Sequence, residues 1–154
     1  MSGSKKAPIK PSRKTSPISF DVIVDRMELV RHSGDGEGDS LKWNVYLYDL
    51  GAGHQASGPN FVMVGHLFRS SDKGHGQVRA TAFLRAYERD QEPMSTAYVT
   101  EELAYGFVEP IYDACRRALQ SQSAIMDVDL DLPFTSPITE VRYEELPELS
   151  TVKK

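Results

Sequence analysis

The sequence predicts an α+β protein, a four-stranded antiparallel meander sheet followed by a proline-kinked helix. Three observations carry that expectation. Between Ile18 and Glu88 apolar residues recur at alternate positions in four runs, the period of a strand with one buried face. Polar, glycine-bearing segments separate the runs, and they are too short for the helical crossover that parallel neighbours require. Beyond Thr100 the apolar spacing changes to steps of four, which is helical.

In the first run Ile18, Phe20, Val22 and Val24 alternate with Ser19, Asp21 and Ile23. Met27 and Leu29 lie on the opposite phase, so a bulge near Asp25 and Arg26 is needed to keep the apolar groups on one side. Gly34 to Ser40 form a polar turn. Leu41, Trp43, Val45 and Leu47 then alternate with Lys42, Asn44, Tyr46 and Tyr48 as strand two. After a loop from Gly51 to Asn60, Phe61 to Arg69 is strand three, apolar on both phases. Ser70 to Gln77 is read as a turn and Val78 to Glu88 as strand four, with Val78, Ala80, Ala82 and Leu84 on one side and Phe83 and Tyr87 on the other. Thr100 is the expected helix N-cap, with Glu101 and Glu102 in the first turn, where the dipole favours negative charge. Leu103, Phe107, Ile111, Cys115 and Leu119 make an apolar stripe. Pro110 would press on the carbonyl of Gly106, so a kink or a break into two helices is expected there. Met126, Val128, Leu130 and Leu132 alternate with Asp127, Asp129 and Asp131 in a final extended segment stopped by Pro133.

At 154 residues the length suits one domain. Residues 1–17 carry five cations, no acid and three prolines, a composition that cannot repay its ordering entropy, and are expected to form a disordered basic tail. Residues 18–134 form the folded domain, and 135–154 are expected to be a flexible C-terminal tail. Formal charge divides as +5, −8 and −1 over these three parts. An acidic core disfavours nucleic-acid binding, since phosphate contacts supply most of that affinity, and it favours basic clients or partners. No apolar run reaches the roughly 20 residues needed to span a bilayer and no apolar stretch marks a secretory signal, so membrane insertion is not expected and the cytoplasm is the expected location.

The candidate chemical motifs read as structure. Asp35, Glu37 and Asp39 resemble the start of a calcium loop, but Ser40 stands where that loop needs Gly and Tyr46 where it needs a bidentate Glu, leaving a hairpin turn. Asp127, Asp129 and Asp131 form the wet side of an alternating segment, with docking of a basic partner as their candidate role. His32, His54, His66 and His75 lack metal-ligand spacing. Cys115 sits on the apolar stripe, where a packing cysteine is the usual outcome, against a minor alternative in which a histidine activates it as a nucleophile. Gly51, Gly53, Gly74 and Gly76 match no phosphate-binding loop and are read as hairpin residues. No catalytic, cofactor or metal site is expected.

Strands three and four, with the tyrosine side of strand two, leave both sheet faces partly apolar, yet one helical segment is available as cover. A second copy, a partner or an extended apolar client is expected on the other face. The aromatic residues that could serve such a surface are Trp43, Tyr46, Tyr48, Phe61, Phe83, Tyr87 and Phe107.

Thr81-Ala-Phe-Leu84, Phe107-Val-Glu-Pro110-Ile-Tyr112-Asp-Ala-Cys115-Arg116 and Met126-Asp-Val-Asp-Leu-Asp-Leu-Pro133 resemble, in that order, the fourth strand, the start of the main helix and the following segment of the SecB family of export chaperones and its SecB-like relatives. The likeness in element order spans residues 18–134. The chain departs from the family at Glu88 to Met94, which replace a Gly-rich aromatic stretch, and after residue 134, where no second long helix follows. The resemblance implies an ATP-independent holdase for unfolded or extended apolar polypeptides, assembled as a dimer or tetramer. It also implies preprotein binding and protein transport, with a translocase as a further partner. The alternative is an oligomeric structural or adaptor protein with one dedicated protein partner.

Overall fold

The structure is a computed structural model that describes residues 20–31, 38–51, 58–90 and 92–146. The basic tail, the calcium-like turn at Asp35 and Glu37, His32, His54 and Gly53 lie outside these residues.

Among the described residues five strands form one sheet: β1 (Phe20–Arg31), β2 (Ser40–Asp49), β3 (Phe61–Ser71), β4 (Gly74–Leu84) and β5 (Val141–Glu144). Their spatial order is β1-β4-β3-β2-β5. β2, β3 and β4 are successive antiparallel neighbours, as in a meander. β1 pairs antiparallel with β4 and not with β2, so the chain re-enters the sheet beyond the β3–β4 hairpin. Alternation specifies which face a side chain takes, but not which strand lies alongside it. The bulge falls where the phase change required it. Register shifts between Val24 and Arg26, so Val22, Val24, Met27 and Leu29 all share the side of Ala82, Ala80, Val78 and Gly76.

Helical structure begins at α1 (Thr96–Tyr98), capped by Ser95, whose Oγ accepts the Tyr98 N–H at 3.2 Å. A π-turn over Val99–Leu103 follows, closed by the Ala104 N–H on the Val99 carbonyl at 2.8 Å, and leads into α2 (Tyr105–Ile125). Thr100 is therefore inside the helical segment and is not its cap. α2 also runs through Pro110 without a break. Gly106 and Pro110 both lie on the exposed side, so the carbonyl that loses its partner faces water, and the helix continues past the proline. The helix ends with Asp127 in the left-handed region (φ 53°) and the Val128 N–H on the Ser123 carbonyl at 2.9 Å, a glycine-type cap made by an aspartate.

α2 and the extended stretch after it cover one face of the sheet. Ile111, Tyr112, Cys115 and Leu119 meet Trp43, Val45, Met63, Leu67, Val78 and Ala80 in a single core. Tyr112 is edge-on to Trp43 at 5.3 Å and its hydroxyl donates to the Pro133 carbonyl at 2.6 Å. Arg69 Nε donates to the Leu130 carbonyl at 2.6 Å, pinning the extended stretch to β3. Val128 and Leu130 are buried while Asp127, Asp129 and Asp131 are exposed, the alternation expected of them.

Part of the expected C-terminal tail belongs to the domain. The Ser136 N–H donates to the Glu109 carboxylate at 3.0 Å, Thr139 Oγ1 donates to the Trp43 carbonyl at 3.3 Å, and Val141–Glu144 add to β2 as a parallel fifth strand. Buried Val141 holds this edge, an isolated apolar position that alternation over four residues does not single out.

Gly74 and Gly76 lie within β4 rather than in a turn, and only Asp72 and Lys73 separate the paired ends of β3 and β4. Their role is close approach. A Cβ at Gly76 would stand 2.6 Å from Leu119 Cδ1, and one at Gly74 would stand 2.5 Å from the Val30 carbonyl oxygen. Gly76→Val should therefore lower stability by about 1–3 kcal/mol through overpacking. Urea unfolding monitored by Trp43 fluorescence checks this, with Gly38→Ala, whose Cβ would meet nothing within 4 Å, as the neutral control.

Candidate functional site

The other face of the sheet is built by the alternate residues of the same strands. It presents Lys42, Asn44, Tyr46 and Tyr48 from β2, Val62, Val64, His66 and Phe68 from β3, and Gln77, Arg79, Thr81 and Phe83 from β4. Tyr46, Tyr48, Val62, Val64, Phe68 and Phe83 are all half-buried, and no helix among the described residues packs over them. Among the described residues the face is an uncovered layer of apolar and polar groups.

At its centre the bulge aims Asp25 at β4. Arg79 Nε donates to both Asp25 oxygens at 3.0 Å, and Thr81 Oγ1 donates to Oδ2 at 3.2 Å. Burial pushes the Asp25 carboxyl upward, but the hydrogen bonds and charge of Arg79, with the bond from Thr81, more than offset this and hold it below its ordinary value. His66 stands beside the pair and is edge-on to Tyr46 at 6.0 Å. Burial lowers its pKa, the Arg79 charge adds to the effect and Asp25 opposes it, so the imidazole is neutral near pH 7.

Two shallow depressions flank this centre. One, of about 330 Å³, is lined by Tyr48, Leu50, Val62, Val64 and Leu146, with Asp25, His66, Arg79 and Thr81 at its inner end. The other, of about 320 Å³, is lined by Arg26, Lys42, Asn44, Tyr46, Phe68, Gln77 and Arg79, together with His66, Leu67 and Val78. Lys42 Nζ sits 5.9 Å from the centre of the Phe68 ring, which stacks on His75 at 6.3 Å.

Of the aromatic residues singled out from the sequence, the structure brings Tyr46, Tyr48 and Phe83 together on this face. Trp43 and Phe61 are buried beneath the helix layer, and Phe107 packs against that core. Tyr87 lies beyond β4, its hydroxyl donating to the Gly58 carbonyl at 2.9 Å. Position on a strand phase explains the split, because Trp43 and Phe61 share the phase of Val45 and Met63. Asp127, Asp129 and Asp131 lie apart from the uncovered face, alongside the end of α2.

Cys115 is fully buried, and burial pushes its thiol up to about 12, far from a nucleophile's range. Among the described residues no group of three or more His, Cys, Asp or Glu could hold a metal ion, and no helix is long and apolar enough to cross a membrane. The sequence reading missed the Asp25–Arg79–Thr81 cluster. The phase change located Asp25, but its partners depend on β1 lying beside β4.

No protein-family model, curated protein or solved structure matches this chain.

Because the folded carboxyl lies below its unfolded value of about 4, the Asp25–Arg79 contribution is full above that pH and is lost as pH falls through the folded pKa. The drop in urea midpoint between pH 7 and pH 3 should be larger for the wild type than for Asp25→Asn; equal drops would show that the pair adds nothing to the fold.

Proposed function

We propose that the chain is an ATP-independent, SecB-like holdase of the cytoplasm that keeps extended apolar polypeptides soluble. The observation that carries this reading is the face left uncovered among the described residues, where Tyr46, Tyr48, Val62, Val64, Phe68 and Phe83 remain half-buried on a sheet whose helix α2 packs on the opposite side. A client laid across it buries that apolar area. Binding the unfolded chain and not the folded one holds it from aggregation by mass action, and release follows folding or transfer. The resemblance to the export chaperones extends the proposal to preproteins and to delivery to a translocase.

A second copy of the chain fits the outer edge of β1. Among the described residues that strand pairs only with β4, leaving its other backbone edge open to strand addition, and Ile23, Val24, Met27 and Val30 are 38–48% exposed along it. If β1 is the assembly edge, light scattering should give an oligomer mass for the wild type and a protomer mass for Met27→Lys. A wild-type monomer, or an unchanged mass in the variant, would remove β1 from the assembly.

The alternative, an adaptor with one dedicated partner, draws support from the Asp25–Arg79–Thr81 cluster, since a fixed polar pattern in the middle of an apolar face rejects mismatched partners. The two readings separate in one assay. The holdase should suppress aggregation of a chemically unfolded reporter at near-stoichiometric ratios without nucleotide, and Val64→Ser should require about fivefold more protein for the same protection. No suppression at severalfold excess would leave the adaptor.

A further inference from the structure

The two depressions differ in chemistry, and they lie in line. From Tyr48 to Lys42 is six residues of β2, about 20 Å, the length of about six residues of extended chain. The end near β5 is apolar, formed by Tyr48, Leu50, Val62, Val64 and Leu146. The end toward the β3–β4 turn is lined, among the described residues, by Arg26, Lys42 and Arg79 and by no carboxylate. That is a local excess of positive charge on a chain of net charge −4. Arg79 is neutralised by Asp25, Arg26 has Glu28 at 4.0 Å, whose carboxylate also accepts from Gln77 Nε2 at 2.8 Å, and Lys42 rests on the Phe68 ring. Among the described residues Lys42 has no ion pair and Arg26 only this long one, so two exposed cations flank this half.

Resting on the polypeptide-binding reading above, we infer that the uncovered face is a groove for an extended peptide segment with an apolar half and an acidic half. The acidic half lies against Lys42 and Arg26, and the apolar half against Val62 and Val64. At the mouth of the apolar depression Tyr48 donates its hydroxyl to Glu144 at 3.4 Å, and Leu146, two residues on, already lines that depression with an apolar side chain from an extended segment. The overall acidity of the domain favours basic partners, but this face selects the opposite sign because its cations cluster and its acids are paired or lie at its edge. A single-stranded nucleic acid could stack on Tyr46 and Phe68, but the apolar half offers nothing to its phosphates and Asp25 and Glu28 border the path.

The test is fluorescence anisotropy with labelled octapeptides, one carrying three leucines then three glutamates, and a counterpart with lysines in place of the glutamates. The wild type should bind the acidic peptide about fivefold more tightly, as expected for two screened charge pairs. Lys42→Glu with Arg26→Glu should invert the preference, and Lys42→Gln with Arg26→Gln should abolish it. Both positions are exposed, and circular dichroism checks that the variants fold. Equal affinity for the two peptides, no response to the charge variants, or tighter binding of an oligothymidylate than of the acidic peptide would overturn the inference. A rise in peptide affinity of about tenfold on deleting residues 147–154 would make the chain's own end the occupant, and a dimer dissociated by Lys42→Glu would make it a second copy; either overturns an external peptide. The holdase reading is tested separately by reporter aggregation. A protected reporter with no peptide preference removes this inference alone, and a peptide preference with an unprotected reporter removes the holdase alone.

Discussion

The close approach of α2 and the stretch after it to the sheet sets most other features of the molecule. A Cβ on Gly65 would stand 2.5 Å from Trp43 and 2.7 Å from Ile111, and one on Gly76 would stand 2.6 Å from Leu119. At these two positions the sheet offers backbone alone, so large side chains from the helix and from β2 sit directly on it. Protein interiors tolerate little excess volume, and this contact fixes which phase of each strand faces the helix. All the alternate residues then face the other way.

That second face is where the sheet stops behaving as ordinary core. It holds valines and aromatic rings beside a charged pair, and it lies uncovered among the described residues. The polar centre depends on the bulge in β1. Without the extra residue Asp25 would not reach Arg79 and Thr81, and an unpaired arginine would stand in the middle of the groove. One local irregularity thus keeps the apolar phase continuous on the helix side and supplies a counter-ion on the other. The surface that results has a greasy end, a neutralised middle and a cationic end.

Much of the fold was legible in the linear chain because alternation and four-residue steps report burial directly. The strand runs, the bulge at Asp25 and the buried Val128 and Leu130 were all visible as phase. What misled was local chemistry with two meanings. Gly74-His-Gly76 has the composition of a turn, yet its glycines make room for Val30 and Leu119. Of the kink or break that Pro110 allowed, the break is absent, because the proline lies where the orphaned carbonyl meets water. Val141 is one buried residue in a polar stretch, below what any period can reveal. Trp43 and Phe61 fell into the core for the same reason that Tyr46 and Tyr48 did not, since ring type says nothing about phase.

The sequence by itself determined the class of the fold, the faces of the strands and the existence of a second partly apolar surface, because each follows from spacing along the chain. Only the tertiary structure decided that β1 lies beside β4 and β5 beside β2, and therefore which charges meet on the open face. Neighbour choice between strands is made by contacts far apart in sequence, such as Asp25 with Arg79 and Trp43 with Thr139, and no local period encodes them.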